Sequence, residues 1–240
     1  MTLIKVKNTG IDGITIASTG VVTIPKQEGM YEHIVSKVST SNSQLSTSAS
    51  IRFQDVFTTE YIAYKLVIGF YGSAHTSGHH NINVRWMNGS SEITDQNYRW
   101  HCQELNVNST SYIGNAKAGG GSQDDRMLVF RNLNDNGGST DSAKTGLYGE
   151  INMYGVIATV IGGTNTNRAG LGGDTYTYGP MLSSDLVGYN EGAGGYIRSS
   201  SFGRYNNWAL DTDFTGFALM GETGELAGTY MSLYGLRVHA

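Results

Sequence analysis

The apolar residues of this chain recur at every second position, in short runs separated by stretches of glycine, asparagine and serine. "YKLVIGFY" (64 to 71) sets Leu66, Ile68 and Phe70 in phase, and "MYEHIVSKV" (30 to 38) sets Tyr31, His33 and Val35 on one face against Ile34, Ser36 and Val38 on the other. Alternation of period two is the mark of a strand with one buried face. Further runs of this kind are "INVRWM" (82 to 87), "NYRWHCQEL" (97 to 105), "RMLVFRNL" (126 to 133), "LYGEINMYGVIATVI" (147 to 161), "YIRSSSFGRY" (196 to 205), "FTGFALM" (214 to 220) and "AGTYMSLYGLRVH" (227 to 239). Between them lie "NGSS", "AKAGGGSQDD", "NDNGGSTDS", "GGTNTNRAGLGGD" and "NEGAGG", read as loops. No 3.6-residue apolar period is sustained, so the expectation is an all-β, antiparallel β-sandwich.

The segment "SIRFQDVFTTEYIAYKLVIGFYG" (50 to 72) carries rings through a polar corner. Ile51, Phe53 and Asp55 would share a face, Phe57, Tyr61 and Tyr64 would lie around a turn, and a second strand would follow. Phe53, Phe57, Tyr61, Tyr64 and Leu66 are expected to close the end of the sandwich where the chain changes sheets. Each such ring contributes about 1.5 to 3 kcal/mol on burial, so the corner's purpose is architectural. "EINMYGV" (150 to 156) and "YMSLYGL" (230 to 236) echo one another at Tyr154-Gly155 and Tyr234-Gly235. Two equivalent strands would give that echo, each ending where glycine permits a bulge or a close approach.

Residues 1 to 28 form a separate unit. "LIKVK" alternates, and "ITIASTGVVTIP" places two alternating runs around Ser18-Thr19-Gly20, a hairpin signal stopped by Pro25. An isolated hairpin is marginal in water, so this arm should rest on something else. Its apolar residues Leu3, Ile4, Val6, Ile14, Ile16, Val22 and Ile24 are the candidate partner-binding set, and 29 to 240 is the sandwich domain.

Composition narrows the function classes. Charged residues are 15% of a 240-residue chain holding 33 Gly and 15 Tyr, with a formal net charge of −4. That balance lacks the basic footprint of a nucleic-acid binder. Cys102 is the single cysteine, so no disulfide forms within one chain, and a buried thiol is its expected state. No apolar run approaches the roughly 20 residues that span a bilayer, and "MTLIKVKNTG" has no signal-peptide stretch, so a soluble product of a cytoplasm is expected.

His75, His79 and His80 in "HTSGHH" could hold a metal with a carboxylate nearby, but their Gly and Ser neighbours read as an exposed turn. His101 and Cys102 are adjacent in a strand and point to opposite faces, which excludes a shared proton. Glu92, Asp95, Asp124, Asp125, Asp211 and Asp213 could supply a carboxylate pair for glycoside hydrolysis, yet each falls beside an expected turn, where acids solvate or cap a loop. No nucleophile elbow, phosphate loop or H-E-x-x-H occurs. The reading is therefore a non-enzyme without cofactor or metal. Trp86 and Trp100 are expected in the core. Tyr176, Tyr178 and Trp208, in polar surroundings with Tyr189 and Tyr205, are the candidates for glycan contact, with loops 72 to 81, 115 to 125 and 162 to 195.

Four stretches in order, "MYEHIVSKV...ASIRFQDVFTTEYIAYKLVIGF", "INVRWMNGSSEITDQNYRWHCQEL", "GLYGEINMYGV" and "FTGFALMGETGELAGTYMSLYGLRV", resemble a diffuse family of virion proteins of tailed bacteriophages. The resemblance spans 30 to 239 in outline and is a pattern of strands. It implies a jelly-roll-like sandwich built into the particle as a tail fibre, appendage or capsid decoration, usually a homotrimer, assembled in the host cytoplasm. It transfers no catalytic residues. The long stretch 157 to 195 and an arm short for a fibre shaft depart from the pattern. The expected function is a virion structural protein, docked by its arm onto other virion proteins, with a capsid decoration or a glycan-binding host-attachment module as alternatives.

Overall fold

Alternation builds strand β5 (Tyr61–Tyr71) as expected: Tyr64, Leu66 and Ile68 are buried, while Val67 faces outward. The computed structural model describes residues 15–16, 22–23, 31–38, 50–71, 79–108, 111–134, 146–156, 180–190, 195–205, 214–221 and 229–237. Its other strands are β1 (Thr15–Ile16), β2 (Val22–Thr23), β3 (Tyr31–Val38), β4 (Ser50–Phe53), β6 (His79–Asn88), β7 (Ser91–Glu92), β8 (Tyr98–Asn108), β9 (Ser111–Asp124), β10 (Met127–Asn134), β11 (Gly146–Tyr154), β12 (Met181–Asn190), β13 (Gly195–Tyr205), β14 (Gly216–Gly221) and β15 (Thr229–Arg237). The described residues contain no helix, and their strands pair antiparallel. The fold is an all-β antiparallel sandwich.

One sheet has eight strands in the order β3-β15-β5-β11-β12-β13-β8-β9. The facing sheet has the order β10-β6-β14-β4, with β7 on the end of β6. The chain alternates between them: β3 and β5 lie in the large sheet and β4 and β6 in the small one, while β10 and β14 return in the small sheet and β11 and β15 in the large. The pairs are nested, β6 with β10, β5 with β11, β4 with β14 and β3 with β15. Inserted strands β8, β9, β12 and β13 all extend the large sheet beyond β11. The pair β1–β2 forms the expected hairpin, joined by Thr15↔Thr23 and Ile16↔Val22, as a separate two-stranded sheet.

A single core fills the space between the sheets. The ring corner forms as read: β4 belongs to the small sheet, β5 to the large, and Phe53, Phe57, Tyr61, Tyr64 and Leu66 are all buried. Phe53 stacks on Phe217 at 4.7 Å, Phe57 meets Tyr64 at 4.6 Å, and Trp86 lies 6.0 Å from Phe57 and 6.1 Å from Phe214. The Tyr64 hydroxyl accepts from the Thr58 amide at 2.6 Å and donates to its carbonyl at 3.0 Å, so the corner folds back on its own strand. Trp100 is partly buried against the same core. The echoing strands β11 and β15 are equivalent, flanking β5 on either side. Gly155 turns the chain at φ +65, and Gly235 lies under the Tyr61 ring, where a Cβ would collide with ring carbons.

Several expectations need correction. "AKAGGGSQDD" is not a loop: its residues through Asp124 belong to β9, which pairs with β8 along most of its length. The final part of the stretch 157 to 195 contains strand β12, paired on both sides. His79 and His80 begin β6 instead of sitting in a turn, while His75 lies outside the described residues. In β3, Leu233 pairs with Val35 and Tyr234 with His33, which leaves Ile34 as the extra residue of a bulge; Ile34 and Val35 both pack toward the core. The shared face of Tyr31, His33 and Val35 is broken there. β5 starts at Tyr61, not Tyr64, and β11 ends at Tyr154, with 157 to 161 outside the described residues. Asp55 leaves the face of Ile51 and Phe53: it is exposed at φ +52, a left-handed conformation that aspartate tolerates better than most residues.

Candidate functional site

The two outer surfaces of the sandwich differ in what they leave exposed. On the small sheet, Met87, Ala218 and Met220 form a buried cluster, and a charge network runs beside it. Glu92 accepts from Ser50 Oγ at 2.9 Å, Arg52 Nε at 3.0 Å and Arg85 Nη1 at 3.3 Å. Arg85 also pairs with Asp125, whose carboxylate takes Arg126 Nε at 2.6 Å. Burial alone would raise the Glu92 carboxyl, but these donors outweigh it and hold the group below its ordinary range.

The outer face of the large sheet presents aromatic rings. Since Leu147, Ile151 and Met153 point inward, alternation sends Tyr148, Glu150, Asn152 and Tyr154 outward. In β15 the inward pair Met231 and Leu233 leaves Tyr230 outside, and in β13 the inward Ile197 and Tyr205 leave Tyr196 and Phe202 outside. Tyr148 and Tyr230 are each 51% exposed, and Phe202 is 52% exposed. Register aligns Tyr230, Gly69, Tyr148, Val187 and Arg198 across five neighbouring strands. The face therefore carries a row of large side chains interrupted by one glycine.

Charges beside this row are matched within it. Lys65 Nζ lies 2.9 Å from Glu150 Oε2, and Asn152 Nδ2 donates to Glu150 Oε1 at 3.2 Å. The same hydrogen bond raises the lysine and lowers the carboxyl. Arg198 Nε donates to Asp185 Oδ1 at 2.8 Å in a two-point pair that holds the Asp185 carboxyl down. Lys65 also sits 5.2 Å from the centre of the Tyr31 ring, a cation–π contact.

The inner face of the extension is polar, with Ser184, Ser199, Ser201 and Glu104 all buried. Residue Val129 is skipped in the β10–β6 register, which frees its carbonyl from the ladder. That oxygen accepts from Ser184 Oγ at 3.2 Å, Ser199 Oγ at 3.4 Å and Ser201 Oγ at 3.4 Å. Cys102 is fully buried, as expected, with its Sγ 3.1 Å from Ser199 Oγ, while His101 points to solvent on the other face. Ring packing also claims Tyr205, edge-on to Tyr98 at 4.9 Å, with its hydroxyl donating to Asp95.

The candidates from sequence divide accordingly. Ile16 and Val22 are register partners in the arm hairpin. Leu3, Ile4, Val6, Ile14, Ile24, Tyr176, Tyr178, Trp208, Asp211 and Asp213 lie outside the described residues. Glu92 and Asp125 share Arg85, with Arg52 also on Glu92 and Arg126 on Asp125, and Asp95 accepts from the Tyr205 hydroxyl. Among the described residues no group of three or more His, Cys, Asp or Glu side chains is placed to hold a metal. No helix of the described residues is long and apolar enough to cross a membrane. The exposed aromatic row was missed in sequence because its tyrosines sit inside strands that read as core; their phase opposite to Ile151 and Leu233 was the available signal. The chain matches no protein-family model, no curated protein and no solved structure.

Proposed function

We propose that this chain is a non-enzymatic structural protein of a tailed-bacteriophage virion, a tail-fibre or appendage subunit docked by its N-terminal arm and working as a homo-oligomer, with a trimer as the expected count. The observation that carries the reading is the nested pairing of β3 to β6 with β10, β11, β14 and β15. Nested antiparallel pairs divided between two facing sheets support a jelly-roll-like reading of the sandwich. It agrees with the strand pattern behind the resemblance, from the Tyr31 strand to the closing Tyr234-Gly235-Leu236. Further support comes from the side chains able to do chemistry: Glu92, Asp125, Glu150 and Asp185 are held by basic partners of the chain itself. Such groups stabilise a building block and have little freedom for turnover.

The arm is the docking element in this reading because β1 and β2 pair only with each other among the described residues. Removing residues 1–28 should leave a folded, soluble domain that no longer enters the particle. Particles assembled with full-length or truncated chain and labelled for electron microscopy test this. Normal incorporation of the truncated chain overturns the docking role, and label confined to the head surface replaces the fibre reading with capsid decoration.

A further inference from the structure

Glycine weakens a strand, so a strand glycine needs a local cause such as a close approach of other atoms. Four of the strand glycines have one inside the chain. A Cβ on Gly149 would strike the Asp185 carbonyl oxygen, one on Gly216 the Phe53 carbonyl, and one on Gly235 the Tyr61 ring; on Gly203 it would come within 2.7 Å of Met127 Sδ. Gly69 has no such cause. A Cβ there would meet only the Tyr230 carbonyl oxygen at 3.8 Å and Tyr230 Cδ1 at 4.0 Å, both ordinary contacts. Among the described residues, the notch over Gly69 has room for a Cβ and is walled by Tyr230 on one side and Tyr148 on the other, each about half exposed.

We propose that a second copy of this chain fills the notch: two sandwiches pack large sheet to large sheet about a twofold axis, the Tyr148 ring of each entering over Gly69 of the other. Area favours this occupant. Eight strands about 4.8 Å apart and roughly 30 Å long offer on the order of 1,000 Å², and a standard interface takes about 800 Å² per partner. The rings are those that enrich interface centres. Charge near the notch agrees as well, because Lys65 is matched by Glu150 and Arg198 by Asp185 within each face. A twofold contact of this kind satisfies both copies with the same residues. The inference rests on the chain being a structural subunit and adds a contact distinct from the docking arm, so a trimer would pair into a hexamer.

The test is the mass of the full-length chain in sedimentation equilibrium, wild type against Gly69→Leu and Tyr148→Ser. Wild type should have an even-numbered mass, and each variant should show half of it. Far-UV circular dichroism should stay unchanged, because a Cβ at Gly69 meets only ordinary contacts and Tyr148 is half exposed, while the melting temperature should lose the concentration dependence that this pairing gives the wild type. A wild-type monomer or simple trimer overturns the pairing, as does an unchanged mass in both folded variants. Loss of neutral-glycan binding or of particle incorporation in Gly69→Leu at unchanged mass also overturns it and assigns the notch to that other partner. Incorporation of wild type decides the structural reading separately: a chain that enters particles yet never pairs has lost only this contact.

Discussion

At Gly235 the Tyr61 ring occupies the space a Cβ would need, while at Gly69 a Cβ would meet only Tyr230, at ordinary contact distance. Alanine should therefore act in opposite directions at two glycines of adjacent strands. Gly235→Ala forces the ring off its seat, and overpacking of this kind costs about 1 to 3 kcal/mol. Gly69→Ala removes backbone freedom from the unfolded chain without a clash and should be neutral or stabilising by up to about 1 kcal/mol. Urea denaturation midpoints check the pair; equal shifts would mean that the Tyr61 seat is not as described. The residues legible in the sequence at this scale were the large ones. Trp86, Phe53 and Tyr64 are buried because no surface position rewards their area, and Cys102 is buried as well, against Ser199. Ser184, Ser199 and Ser201 are equally buried but were illegible. Their positions become tolerable only through the carbonyl that a bulge at Val129 releases, and nothing local in "MLVF" announces that bulge.

Among the elements, those with one apolar face could be read directly, and β5, β6, β11 and β15 overlap the runs that alternation marked, with shifted ends. Strands β9 and β12 could not. β9 carries Gly119-Gly120-Gly121, a turn signature by composition; its register with β8 skips from Gly119 to Asp124, yet residues 111–119 pair with β8. β12 hides its period because serine stands at one of its inward positions, between Leu182 and Leu186. Pairing also predicts how firmly each element is held. β5 is flanked on both sides and buried on one face, whereas β9 ends the sheet among the described residues. Amide hydrogen exchange should be slowest in Tyr64–Ile68 and at least tenfold faster along β9, since local opening is easier at an edge. Similar protection in the two strands would mean that another chain covers the β9 edge.

Across the whole molecule, carboxylates on both outer faces are held below their ordinary pKa values: Glu92 on the small sheet, Glu150 and Asp185 on the large. A depressed folded value contributes stability that is fully present above the unfolded value and is lost as pH falls through the folded one. The ordinary values are 4.5 for the two glutamates and 3.8 for the aspartate, so stability should hold from neutrality to just above 4.5 and decline below it. Glu92→Gln should be less stable at pH 7 and lose less on acidification. Urea midpoints against pH measure both, and parallel curves for the two proteins would remove Glu92 from the account.

The sequence by itself determined that the chain is all-β and antiparallel and that its corner of rings changes sheets, because period-two burial and ring size act within a few residues. Tertiary structure alone decided that four inserted strands all extend one sheet, that buried serines share a single carbonyl, and that one row of tyrosines faces outward around an open glycine. Those outcomes depend on which backbone groups find partners far along the chain, and distant pairing leaves no periodic trace in either strand it joins.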